Sequence, residues 1–90
     1  MIHLQALFFG KLRDLTEVRE TGVVLEDGSR LTDLVSKLAE IYGQAFAEEV
    51  EAIQGLRILI NGREYYLTGR MKSPLHEGDT IVFLPPIAGG

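Results

Sequence analysis

The chain has 90 residues, a net charge of −4 and no cysteine. That length supports one domain, because a chain this size buries only somewhat more than ~60% of its unfolded surface. The missing cysteine excludes disulfides, thiolate metal sites and a cysteine nucleophile, and the acidic balance with scattered Lys and Arg excludes nucleic acid as the main ligand.

The opening stretch MIHLQALFFGKLRDL has a short apolar run broken by His3 and Gln5 and no basic leader, so it reads as a strand instead of a secretion signal. No run approaches the ~18 to 20 apolar residues that span a bilayer, so no membrane partner and a cytoplasmic location are expected. Over residues 2–9, Ile2, Leu4, Ala6 and Phe8 share one face, and His3, Gln5, Leu7 and Phe9 share the other. Period two predicts a strand. GKLRDLTEVRETG then reads as turn and loop, followed by a short strand VVLE at 23–26. Ser29, in DGS, is placed to cap a helix. Leu31, Leu34, Val35, Leu38 and Ile41 form one apolar stripe at helical spacing, with Gly43 as the stop.

QAFAEEVEAIQG spaces Phe46, Val50 and Ile53 for a short second helix, and LRILI at 56–60 alternates as a strand. Asn61-Gly62 is a strong hairpin signal, since both turn positions require positive φ. EYYL is then the returning strand, TGRMKSPLHEGD a loop, and TIVFL at 80–84 the last strand. This order predicts an α+β domain, a mixed sheet of about five strands with one main helix on one face. Residues 1–84 form that domain and 85–90 an extended tail. The first and last strands, both strongly apolar, are expected side by side in the middle.

Side-chain chemistry is sparse. His3 lies on an alternating strand and His76 in a polar turn, neither with a partner visible in sequence, so both read as structural or surface residues. Glu48, Glu49 and Glu51 interleave with Phe46, Val50 and Ile53 and read as a solvated helix face. No metal motif or phosphate loop is present. A helix covers only one side of the sheet, which leaves Leu7, Phe9, Val82 and Leu84 as an apolar cluster on the other, and such a cluster suggests a partner surface.

The chain closes on VFLPPIAGG. Pro85 and Pro86 hold it extended, Ile87 gains by docking on an apolar surface, and residues 85–90 reach on the order of 20 Å. Ala88 is small, and Gly89 and Gly90 have no side chain to stop them threading a narrow tunnel. The group thereby delivered into another protein's active site is the carboxylate of Gly90. A carboxylate is a poor acyl donor; adenylation with ATP by a partner would supply a leaving group, and sulfur or an amine could then attack the carbonyl.

FFGKLRDL, DGSRLTDLVSKLAEIYG, ILINGR and PLHEGDTIVFLPPIAGG together resemble the MoaD/ThiS sulfur carriers, which are ubiquitin-like β-grasp proteins, and most of all the MoaD branch, the small subunits of molybdopterin synthase. The resemblance implies a non-catalytic carrier with no intrinsic cofactor, whose Gly90 is adenylated by a MoeB-type activating enzyme using ATP and converted to a thiocarboxylate. It implies that the tail enters a MoaE-type large subunit in a heterotetramer and gives its sulfur to cyclic pyranopterin monophosphate. The family's aromatic after the first strand matches Phe9, its Arg in the following turn matches Arg13, and its apolar residue before Pro-Pro matches Leu84. Longer segments like LTGRMKSP also occur among cysteine-biosynthetic carriers and prokaryotic ubiquitin-like modifiers, so these remain alternatives. Thiamin carriers usually lack the Pro-Pro spacer.

Overall fold

The computed structural model describes residues 1–86. In chain order these form β1 (Ile2–Phe8), α1 (Gly10–Thr16), β2 (Glu20–Leu25), α2 (Leu31–Tyr42), α3 (Gln44–Ala52), β3 (Arg57–Ile60), β4 (Arg63–Glu64), two 3₁₀ turns (Tyr65–Leu67 and Arg70–Lys72) and β5 (Thr80–Leu84). The sheet order is β2-β1-β5-β3-β4. β1 and β5 run parallel at the centre, Leu7 opposite Val82 and Phe8 opposite Phe83, as their apolar content predicts. β2 and β3 flank them antiparallel.

The alternation of β1 is realised face by face. Ile2, Leu4, Ala6 and Phe8 are buried, with Ile81 and Phe83 of β5, Ile58 and Ile60 of β3, and Val23 and Leu25 of β2. Leu31, Leu34 and Leu38 of α2 and Phe46 and Val50 of α3 close the core from the same side. Phe8 is the hub: its ring centroid lies 5.8 Å from Phe83, 5.6 Å from Phe46 and 6.0 Å from Tyr42. Stacked and edge-on pairs at these distances each add about 0.5–1.5 kcal/mol beyond burial.

The Asn61-Gly62 turn has the required positive φ at both positions, 52° and 84°. It is also tied to the start of β5. The Asn61 amide nitrogen donates to Asp79 Oδ1 at 2.7 Å, its carbonyl oxygen accepts the Thr80 N–H at 2.9 Å, and Asp79 Oδ2 accepts the His76 N–H at 2.8 Å. Asp79 is buried and spends both carboxylate oxygens on this lock.

Four local readings change. GKLRDLT is a helix, because Leu12 is fully buried and Thr16 caps the turn beyond it, its hydroxyl donating to the Val18 carbonyl at 2.9 Å. Ser29 is not the cap of α2: its hydroxyl donates to the Glu26 carbonyl, while Arg30 is the N-cap residue and its N–H donates to Asp33 Oδ2 at 2.8 Å. Ile41 is 51% exposed. It lies at the edge of the stripe, about 80° around the helix from Leu31 and just beyond Leu34, while Tyr42, about 20° from Leu31, packs against Phe8 instead. The returning strand ends at Glu64, since Tyr65 turns inward against the core and its carbonyl takes the Thr68 N–H and hydroxyl, each at 3.1 Å.

The segment after it is equally tied down. Ser73 is fully buried, with its hydroxyl 2.6 Å from the Arg70 carbonyl and 2.7 Å from the Thr68 hydroxyl. Its carbonyl accepts the Leu31 N–H at 2.9 Å, and Leu75 N–H donates to the Ser29 carbonyl at 3.0 Å. This places the loop against the start of α2.

Candidate functional site

Helices fill one face of the sheet, and the other carries a short apolar stripe. Register places Leu7, Val82 and Leu59 side by side across β1, β5 and β3. Side chains two apart share a face, so Leu84 extends the stripe along β5, with Arg57 opposite it. All four apolar residues are half-buried. Charge borders the stripe: Glu20 stands opposite Leu7 and Glu64 opposite Leu59, and Arg57 donates to Glu64 at 2.6 Å.

Of the described site residues expected from sequence, Leu7, Phe9 and Arg13 line one hollow, and Phe9, Leu84, Pro85 and Pro86 line a second one that shares Phe9, the corner where the two meet. Phe9 lies just past β1, starts α1 and is 43% exposed. Arg13 is exposed one turn further on and lines a shallow hollow with Leu7, Phe9, Arg19 and Glu20. Val82 and Leu84 lead up β5 toward Pro85, half-buried, and Pro86, exposed. Ile87, Ala88, Gly89 and Gly90 lie outside the described residues.

Leu59, Arg19 and the α1–α3 edge were missed. Leu59 was legible, since the alternation of LRILI puts it on the face opposite Ile58 and Ile60. Arg19 and the edge depend on α1, whose N-cap residue Phe9 makes no side-chain capping hydrogen bond and which spans only seven positions.

The two histidines stay apart from this corner. His3 Nδ1 is 3.1 Å from Glu77 Oε1 at the other end of β1, and His76 Nδ1 is 3.9 Å from Asp79 Oδ2. Glu77 also accepts the His3 backbone N–H, and these two hydrogen bonds hold its carboxyl below the usual range. Glu48 and Glu51 are solvated, whereas Glu49 is partly buried and pairs with Lys11 at 3.2 Å. Among the described residues no cluster of His, Asp or Glu is arranged to hold a metal ion, and no helix is long and apolar enough to cross a membrane.

A five-stranded mixed sheet with parallel central strands and its helices on one face is the ubiquitin-like β-grasp. The model of the ThiS family matches residues 6–90, and the chain belongs to that family of ubiquitin-like sulfur carriers. Small archaeal modifier protein 3 of Haloferax volcanii is 29% identical over 92 residues, covering 99% of this chain and 100% of that one. The molybdopterin synthase sulfur carrier subunit of Chlamydomonas reinhardtii is 24% identical over 89 residues, with 99% and 100% covered. A structure described as a molybdopterin converting factor subunit 1 from Pyrococcus furiosus superposes with a TM-score of 0.78 at 23% identity, over 97% of this chain and 100% of that one. A further fold relative, at 16% identity and a TM-score of 0.74 over 97% of this chain and 99% of that one, is seen in the BexX/CysO complex of Amycolatopsis orientalis.

Proposed function

We propose that this protein is the sulfur-carrying small subunit of a molybdopterin synthase, acting in the cytoplasm without catalytic residues of its own. A MoeB-type enzyme binds the open-face corner and receives the tail. The Gly90 carboxylate attacks the α-phosphate of ATP, pyrophosphate leaves, and the resulting acyl adenylate gives a thiocarboxylate when hydrosulfide attacks its carbonyl and AMP leaves. A MoaE-type subunit then takes the same tail and passes the sulfur to the pterin precursor.

The observation that carries this reading is the continuity of the corner with the tail: Phe9 and Leu84 line the groove that holds Pro85 and Pro86, and Leu84 continues into the stripe of Val82 and Leu7. A partner seated there necessarily receives the residues that follow. Half-buried leucines of this kind each contribute up to ~1.5–3 kcal/mol on full burial, although such values do not sum to an affinity.

The modifier relative favours a second reading, in which an amine of a target lysine, not sulfur, attacks the activated carbonyl. Intact mass after co-expression with a MoeB-type enzyme tests both. An oxygen-to-sulfur mass change on Gly90 together with recovery of a MoaE-type subunit is expected. High-mass conjugates joined to lysine would favour tagging, and an unaltered Gly90 would sink the carrier reading altogether. Deleting Gly90 should abolish transfer and leave the melting temperature unchanged.

A further inference from the structure

The root of the tail lies in a groove. Phe9, Ile53 and Leu84 give it an apolar lining, and the Lys11–Glu49 ion pair joins α1 to α3 beside it. The two proline rings pack over two glycines whose backbone conformation, more than the space beside them, excludes a side chain. A Cβ built on Gly10 would stand 3.4 Å from Pro85 Cγ, and one built on Gly55 would stand 3.7 Å from Pro86 Cγ. Both glycines have positive φ, 58° and 76°, so a side chain there would be strained as well as in contact with the ring. The groove also depends on α1, the helix that sequence periodicity did not reveal.

We propose that Gly10 and Gly55 are positioning residues that seat Pro85 and Pro86 against the α1–α3 edge, so that the tail is tethered from Pro86 and not from the end of β5. The proposal rests on the carrier reading for its use and deepens it. Residues 87–90 are then the whole tether, and at ~3.3–3.6 Å per residue they reach about 14 Å. A partner that adenylates Gly90 must therefore open its active site within about 14 Å of Pro86, over the corner where α1 meets α3, and must cover that edge as well as the leucine stripe. Proline rings suit this task, since they are already rigid and lose little freedom on docking.

The chain has no cysteine of its own, so paired cysteines test the seating directly. The Cβ positions of Gly55 and Pro86 are 3.9 Å apart and those of Gly10 and Pro85 are 3.7 Å apart, both within the ~3.5–4.5 Å span of a disulfide. Two variants, Gly55→Cys with Pro86→Cys and Gly10→Cys with Pro85→Cys, guard against one of them failing to fold. Gly28→Cys with Pro86→Cys is the control. Gly28 also has positive φ, has no neighbour within 4 Å, and follows Leu25, which pairs with Ile2 at the opposite end of β1.

In oxidised glutathione the seated pairs should close at least ~10-fold faster than the control. ATP–pyrophosphate exchange with a MoeB-type enzyme should then stay within ~5-fold between the oxidised and reduced forms of each pair, because the root is already where the disulfide holds it. Closure no faster than the control would overturn the seating. So would a larger loss of exchange on oxidation that reduction restores, since the tail would then have to leave the groove to react. Wild-type protein that supports no exchange would defeat the carrier reading, and the closure rates would still decide the seating.

Discussion

Adjacent residues on the two central strands live in different surroundings. Phe8 and Phe83 are at most 1% exposed and stack at 5.8 Å, while their neighbours Leu7, Val82 and Leu84 are half-buried on a face that the helices leave open. The same backbone ladder holds both sets. What separates them is the helix layer, which completes the packing of one face and leaves the other to be completed by something else. The inner set therefore governs whether the domain folds, and on the function proposed above the outer set governs what it meets.

The sharpest way to break the comparison is to remove one residue from the inner set. Phe8→Ala takes away the ring that touches Tyr42, Phe46 and Phe83 together, and a loss of about 3–5 kcal/mol is expected in urea unfolding. Partner binding should fall only as far as the folded fraction does. A loss under about 1 kcal/mol would mean that the aromatic cluster collapses around the gap and is not a fixed unit.

Next comes the lock that aligns β5. Asp79→Ala removes the buried carboxylate that accepts from the Asn61 amide and the His76 N–H; both donors sit on exposed residues that water can reach, so each lost bond costs about 0.5–1.5 kcal/mol. Both faces depend on the register of β5, so this variant should lower stability and partner affinity together. If only affinity fell, Asp79 would belong to the interface and not to the lock.

Outer-set substitutions should do the reverse of Phe8→Ala. Leu84→Lys or Phe9→Lys should leave the urea midpoint nearly unchanged and weaken capture of a MoeB-type or MoaE-type partner at least ~10-fold, as removal of an apolar anchor does. If Phe9→Lys unfolds the domain, the start of α1 is part of the core and the two faces are not separable there.

Much of this division was legible before any coordinates. Strict alternation in β1 and β5 assigns every side chain to a face, and Asn61-Gly62 fixes the hairpin through its backbone demands. The helix of Leu34 and Leu38 announces itself by spacing. What remained hidden was set by tertiary burial. α1 has a glycine at its first position, no capping side chain and a single fully buried leucine, Leu12, so nothing local distinguishes it from a loop. The groove for Pro85 and Pro86 follows from α1 and from positive φ at Gly10 and Gly55, and those contacts join residues far apart in the chain. Leu59 is a different case, since the alternation of LRILI alone places it on the outward face, opposite to Ile58 and Ile60.

The smallest effect separates the two ends of β1. At the tail end the outer face is apolar, whereas at the start His3 binds Glu77 through its ring at 3.1 Å and through its backbone N–H at 3.0 Å. These bonds favour the ionised carboxylate and hold the Glu77 pKa below its ordinary 4.5 in the folded protein. A depressed folded-state pKa contributes stability that is fully present above the unfolded value and is lost as pH falls through the folded one. The urea midpoint of wild type should therefore exceed that of Glu77→Gln by a margin that holds above the unfolded pKa, shrinks as pH falls from there, and is gone once pH is below the folded-state pKa. Both side chains are well exposed, at 70% and 62%, so the margin will be small and should shrink further with added salt. A margin that does not change with pH would show that Glu77 holds the strand end by hydrogen-bond geometry alone. In that case the contrast between the two ends of β1 is one of shape and not of charge.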